Sequence, residues 1–127
     1  MYDLSDFQLH ILQVLWDRGE ASAADVHRAV GRTRRVAVTT VSTILQRLER
    51  RGVVTHRVEG RGFVYLPLVA EHEVRRSMIK DVVRRLFRGD ATAVVTQVLA
   101  AKDLSEGDLE QIQSHIDEAR RRRGSDD

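Results

Sequence analysis

At Gly52 the chain changes its periodicity, and that switch restricts the available folds more than any other feature. Before it, apolar residues recur at helical spacing; after it come two runs rich in β-branched and aromatic side chains. These are Val53 to Glu59 (VVTHRVE) and Phe63 to Val69 (FVYLPLV), joined by Gly60-Arg61-Gly62. A short, glycine-rich connection between two such runs predicts a β-hairpin. Pro67 is the only proline and falls near the end of the second run. Lacking an N–H, it marks that end as an edge.

Helix starts announce themselves through a layout that recurs three times: apolar residue, serine, two residues, Gln or Asp, apolar residue. It occurs at Leu4-Ser5 to Gln8-Leu9, at Ala21-Ser22 to Asp25-Val26 and at Leu104-Ser105 to Asp108-Leu109. The serine oxygen can accept a first-turn N–H while the polar residue reaches back, and the apolar pair closes as a staple. The first helix then carries Phe7, Ile11 and Leu15, with Leu4, Leu12 and Trp16 beside them, and ends near Gly19. A second, short helix runs from Ala23 to about Val30 and stops at Gly31. A third is predicted from Val38 to Arg51, with Gly52 free to take the left-handed conformation beyond it. Its apolar stripe is Val41, Ile44, Leu45 and Leu48. Thr39, Thr43, Gln46 and Arg50 fall opposite, with Thr40 and Arg47 on one shoulder.

Three helices followed by a hairpin is the order of a winged helix-turn-helix. The expected fold class is therefore mainly α with a small β-hairpin wing, followed by a three-helix region. Residues 1–69 would form the winged-helix domain and residues 70–127 the helical one, with the boundary near Val69-Ala70. In the second part, Val74, Met78, Val82 and Leu86 make one stripe, flanked by Ile79, Val83 and Phe87. Gly89 ends that helix and Asp90 can cap the next, marked by Val94, Val95, Val98 and Leu99. Leu109, Ile112 and Ile116 mark the last, and Gly124 to Asp127 reads as a frayed end. Three narrow stripes cannot close a good core within some fifty residues, so a second copy is the expected cover, with packing on the N-terminal domain as the alternative. The dimerisation residues on this reading are Val74, Met78, Val82, Leu86, Phe87, Val94, Val98, Leu109, Ile112 and Ile116.

The net charge of +2 conceals an uneven distribution. Met1 to His27 holds one basic residue against five acids, whereas Arg28 to Arg61 holds nine arginines against Glu49 and Glu59. From Ala70 onward eleven basic residues nearly cancel twelve acidic ones. The basic block covers the approach to the third helix (Arg32, Arg34, Arg35), the helix itself (Arg47, Arg50, Arg51) and the hairpin (Arg57, Arg61). A winged helix would gather these on one side, the threonines and Arg47 facing base edges and the other arginines meeting phosphates. Double-stranded DNA is the expected partner, and a dimer would set two recognition helices about one duplex turn apart, suited to a palindrome. The alternatives are a merely solvated arginine face, a small-molecule-responsive winged helix of another type, and an adaptor whose basic face meets an acidic protein.

Other chemistries find little support. There is no cysteine, hence no disulfide, thiolate metal site or cysteine nucleophile. His10, His27, His56, His72 and His115 include no i,i+3 or i,i+4 pair, so no metal is expected, and no cofactor. Ser5, Ser22 and Ser105 are accounted for as caps, and the GRG segment has no helix after it to cradle a phosphate. An enzyme is not expected. The N-terminus lacks a signal-peptide layout and no run approaches the ~18 apolar residues of a membrane span, so a cytoplasmic protein without a membrane role is expected.

The residues also resemble a known family, the penicillinase repressors of BlaI/MecI/CopY type. The similarity is carried by Leu9 to Trp16 (LHILQVLW), Val38 to Gly52 (VTTVSTILQRLERRG), Gly60 to Pro67 (GRGFVYLP), Leu86 to Gly89 (LFRG) and the pattern Leu104-Ser105, Leu109, Ile112, Ile116-Asp117-Glu118. It implies a homodimeric transcriptional repressor on a promoter palindrome, with C-terminal helices intertwined between subunits. The family's DNA-contacting helix falls on Thr39, Thr40, Ser42, Thr43 and Arg47, so Ser42 is added to the site by resemblance alone. It also implies a sensor-protease as partner, which triggers cutting at an Asn-Phe bond in the fifth helix. This chain has no asparagine, and Gln97-Val98 stands at the aligned position. Copper sensing through C-terminal cysteine pairs is excluded.

Overall fold

The computed structural model describes residues 2–101 and 103–126. Among them the elements run α1 (Asp6–Arg18), β1 (Ala21–Ser22), α2 (Ala23–Val30), α3 (Val38–Arg50), β2 (Val54–Glu59), β3 (Gly62–Pro67), α4 (Glu71–Arg85), α5 (Ala91–Leu99) and α6 (Glu106–Asp126). This is a mainly helical chain with a small antiparallel sheet, as its periodicities predict.

The serine layouts act as expected, with one difference. Ser5 Oγ accepts the Gln8 N–H at 3.2 Å while Gln8 Oε1 accepts the Ser5 N–H at 3.0 Å, a complete capping box. Ser105 and Asp108 exchange the same two bonds, both at 3.0 Å. The Ser105 N–H thereby holds the Asp108 carboxyl below its ordinary value. Ser22 accepts from the Asp25 N–H at 3.1 Å, but Asp25 turns its carboxylate to Arg28 instead of reaching back. Asp90 accepts the Ala93 N–H at 3.1 Å and starts α5. At the other end of α6, helix continues through Gly124 and Ser125, which corrects the expectation of a frayed tail. Ser125 Oγ donates to the Arg121 carbonyl at 3.1 Å, so the polar residues prolong the last turn. Asp127 lies outside the described residues.

The chain divides into two compact units, Met1–Asp81 and Val82–Asp127. In the first, α1, α2 and α3 bury Ile11, Leu12, Leu15, Val26, Val30, Val41, Leu45 and Leu48 around one core, closed by Val53, Val54 and Tyr65 from the sheet side. Each such aliphatic side chain contributes about 1.5–3 kcal/mol by leaving water. The Trp16 indole N–H donates to the Val69 carbonyl at 2.9 Å and fixes the chain as it leaves β3. The unit extends beyond Val69 into α4, where Val74 is buried, with 1% of its surface exposed.

The sheet has three strands, not the two of a simple hairpin, in the order β1-β3-β2. Ala21 pairs with Tyr65 and Ser22 with Val64, while β2 and β3 pair from Val54↔Pro67 to Glu59↔Gly62. A two-residue strand has no periodicity to read, and Ala21-Ser22 is already occupied as a helix start. β1 stops short of Pro67, so the missing N–H costs no ladder bond on that side.

In the second unit α5 and α6 bury none of their described side chains, and Leu86 is 72% exposed. Leu86 and Phe87 leave α4 as a turn, completed by Arg88 and Gly89 at φ 54° and 87°. No helix among the described residues is long and apolar enough to cross a membrane.

Candidate nucleic-acid interface

α3 separates its residues cleanly by face. Val41, Leu45 and Leu48 are fully buried, while Thr39, Thr40, Thr43, Gln46, Arg47 and Arg50 are exposed on the opposite side. The helix begins at Ala37 without a side-chain cap and with no acid in its first turn. α1, α2 and α5 each receive a Ser or Asp oxygen at the same place. The positive end of the α3 dipole is therefore left for an external anion. Thr43 Oγ1 donates to the Thr39 carbonyl at 2.9 Å. Thr43 is exposed, and its hydroxyl oxygen, having spent its proton on that bond, can still accept from a base amino group.

Two short contacts tie the neighbouring segments to this helix. The His27 Nε2–H donates to the Val36 carbonyl at 2.7 Å, pinning the loop that carries Arg32, Arg34 and Arg35. At the far end, His56 on β2 places Nδ1 2.7 and 2.9 Å from the two oxygens of Glu49, and its ring stacks on Phe63 at 4.1 Å. The wing is thus held against the C-terminal turn of α3. Burial, together with the nearby Glu49 carboxylate, raises the Tyr65 hydroxyl above its ordinary value, so it stays neutral.

Between α2, α3 and the wing lies an open groove of about 340 Å³. Ser42 and Gln46 line it from α3, Arg61 and Phe63 from the wing and Ala23 and Ala24 from α2. The structure therefore brings Ser42, Gln46 and Arg61 together on one concave surface. It treats the arginines unequally. Among the described residues Arg35, Arg47, Arg50 and Arg61 have no side-chain partner and are exposed. Arg34 lies over the Phe7 ring at 4.8 Å, and Arg51 donates to the Asp3 carbonyl at 2.8 Å.

Arg57 departs furthest from the sequence expectation. Its Nε and Nη2 meet the Glu20 carboxylate at 3.2 and 2.8 Å, and Glu59 stands at 3.4 Å. The bidentate bond holds Glu20 below the usual carboxylate range and Arg57 above its own. Its guanidinium clamps β2 to the turn before β1. Sequence reasoning missed Phe63 as a groove wall and Glu20 as a clamp. Alternation in β3 could have flagged Phe63; nothing local links Glu20 to Arg57.

Of the residues read as dimer contacts, Val82, Leu86, Val98, Leu109 and Ile116 are exposed, Met78, Phe87, Val94 and Ile112 are half-buried, and Val74 is buried within its own chain. Among the described residues no group of three or more His, Asp or Glu could hold a metal ion.

A family model described as Penicillinase repressor matches residues 4–118. The chain belongs to the penicillinase-repressor family. That family consists of transcriptional repressors, not enzymes. A curated relative, the penicillinase repressor of Bacillus licheniformis, is 25% identical over 120 residues, covering 94% of both chains. The methicillin resistance regulatory protein MecI of Mammaliicoccus sciuri is 21% identical over 113 residues, covering 89% of this chain and 92% of its own. Among solved structures, the DNA-binding domain of the repressor BlaI aligns with a TM-score of 0.50 at 32% identity, over 54% of this chain and 84% of that one. That match confirms the winged helix. Escherichia coli MarR bound to operator DNA aligns with a TM-score of 0.53 over 92% of this chain and 76% of its own, at 12% identity, a likeness of fold.

Proposed function

We propose that this family member is a sequence-specific DNA-binding repressor that occupies a palindromic promoter operator as a homodimer in the cytoplasm. The observation that carries the reading is the exposed α3 face, with Arg47 and Arg50 unpaired among the described residues beside a groove shared by Ser42, Gln46 and Arg61. Thr39, Thr40, Thr43, Gln46 and Arg47 would meet base edges in the major groove, where Arg can hold guanine through two bonds. Arg35, Arg50 and Arg61 would meet phosphates, joined by Ser42 within the groove. Arg34 and Arg51 are anchored on the protein and would reach the backbone only from those positions. Arg57 serves by holding the wing, not by touching DNA.

The exposed apolar residues of α4 to α6 support the homodimer, since a second copy would cover Val82, Leu86, Val98, Leu109 and Ile116 together. Release through a sensor-protease would act on α5, where Gln97 and Val98 lie on the surface, Val98 being half exposed. Footprinting the purified chain across its neighbouring promoter tests the reading. A protected palindrome with half-sites about one helical turn apart is expected. Protection spread evenly along the DNA would contradict it.

A further inference from the structure

We infer that α6 pairs antiparallel with α6 of a second copy, in a register set by opposite charges flanking its apolar stripe. The inference rests on the homodimer reading and adds to it an orientation and named contacts. Leu109, Ile112, Ile116 and Ala119 follow alternating three- and four-residue spacing along α6, the seam spacing of a coiled coil. None of them is buried; Leu109 and Ile116 keep 40% and 38% of their surface exposed. An open hollow of about 530 Å³ runs beside the seam, lined by Ile116, Ala119, Arg120, Arg122 and Arg123.

Charge is divided along the same helix. Glu106, Asp108 and Glu110 occupy its start, and Arg120 to Arg123 its last turns. Arg121 is paired with Glu118 at 2.7 Å, whereas Arg120, Arg122 and Arg123 have no partner among the described residues. The helix dipole accounts for acids at one end and arginines at the other. It does not account for their faces. Glu106 and Arg120 lie on one flank of the seam, and Asp108 and Arg122 on the other, at the positions that meet a neighbouring helix.

Laying Ile112 over Ile116 of a second, antiparallel copy also lays Leu109 over its Ala119. In that one register Glu106 faces Arg120 of the second copy, and Asp108 faces its Arg122. Two-fold symmetry repeats both pairs at the other end. In the middle Gln113 meets its own symmetry mate, and so does His115. A parallel arrangement would instead set acidic end beside acidic end and arginine end beside arginine end.

Sedimentation equilibrium of the full chain without DNA, at low and high salt, tests this together with a charge exchange. The dimer should weaken as salt rises. Glu106→Arg and Arg120→Glu should each weaken self-association by about threefold to tenfold. An equimolar mixture should regain wild-type affinity as a heterodimer, because the reversed pairs then complement one another. A dimer that tightens with salt, or a mixture no tighter than either variant alone, overturns the antiparallel register while leaving the homodimer intact. A wild-type chain that stays monomeric overturns the homodimer reading itself.

Discussion

Arg47→Ala separates base reading from backbone contact at a single position. Arg47 is exposed on α3, on the shoulder of the polar face, and has no side-chain partner among the described residues. Truncating it therefore removes no intrachain bond, and the change in folding stability should stay within about 0.5 kcal/mol. Whatever affinity is lost can then be assigned to DNA. A guanidinium bidentate to one guanine is worth about 1–3 kcal/mol of discrimination, roughly five- to 150-fold in affinity. The assay is a titration of Arg47→Ala and wild type against the footprinted duplex and a panel carrying each single base change. The expected pattern is weaker binding to the parent duplex and near-equal affinity for all four bases at one pair. Arg61→Ala, on the wing, should weaken every duplex alike and lower the salt slope by about one. If Arg47→Ala gave that uniform loss instead, Arg47 would be a phosphate contact and the assigned face would be rotated.

Further outcomes follow from the same contacts. Leu45→Ala, in the centre of the first unit's core, should cost about 2–5 kcal/mol in denaturant unfolding, with DNA binding lost in parallel. Arg57→Ala breaks the clamp to Glu20, so DNA binding should weaken modestly with an unchanged salt slope; a slope lowered by about one would show Arg57 on a phosphate. The Ser105–Asp108 box should lose its contribution on acidification. Asp108 is lowered in the folded chain, so the contribution is full above its ordinary value near 3.8 and fades as pH falls through the lowered one. Asp108→Asn, which cannot ionise, should flatten that acid limb in circular dichroism of α6. A chain ending at Asp81 should fold on its own and remain monomeric in sedimentation.

Much of the fold is legible because it is written locally. Ser5-Gln8 and Ser105-Asp108 are complete boxes three residues apart, and the switch at Gly52 coincides with a φ of 77°. Local patterns also place Val41, Leu45 and Leu48 inward and the threonines outward. The illegible parts depend on pairs distant in sequence. β1 exists only because Ala21 meets Tyr65, and Arg57 is withdrawn from the basic face only because Glu20 lies across the sheet. The division within α4 has the same origin, since nothing around Val74 in sequence says that its own chain will bury it. Charge counting therefore marks a basic surface but not which of its arginines are already engaged. Of the arginines on and around α3 and the wing, those with nearby acids, carbonyls or rings are already engaged.

The claim that α3 and the wing read a specific operator is tested most directly by comparing two duplexes at two salt concentrations. One carries the footprinted palindrome, the other a scrambled sequence of equal length and composition. The expected result is a steep fall of both affinities with salt, and a preference for the palindrome of at least about a thousandfold. Equal affinity for the two duplexes at both salt concentrations would contradict it.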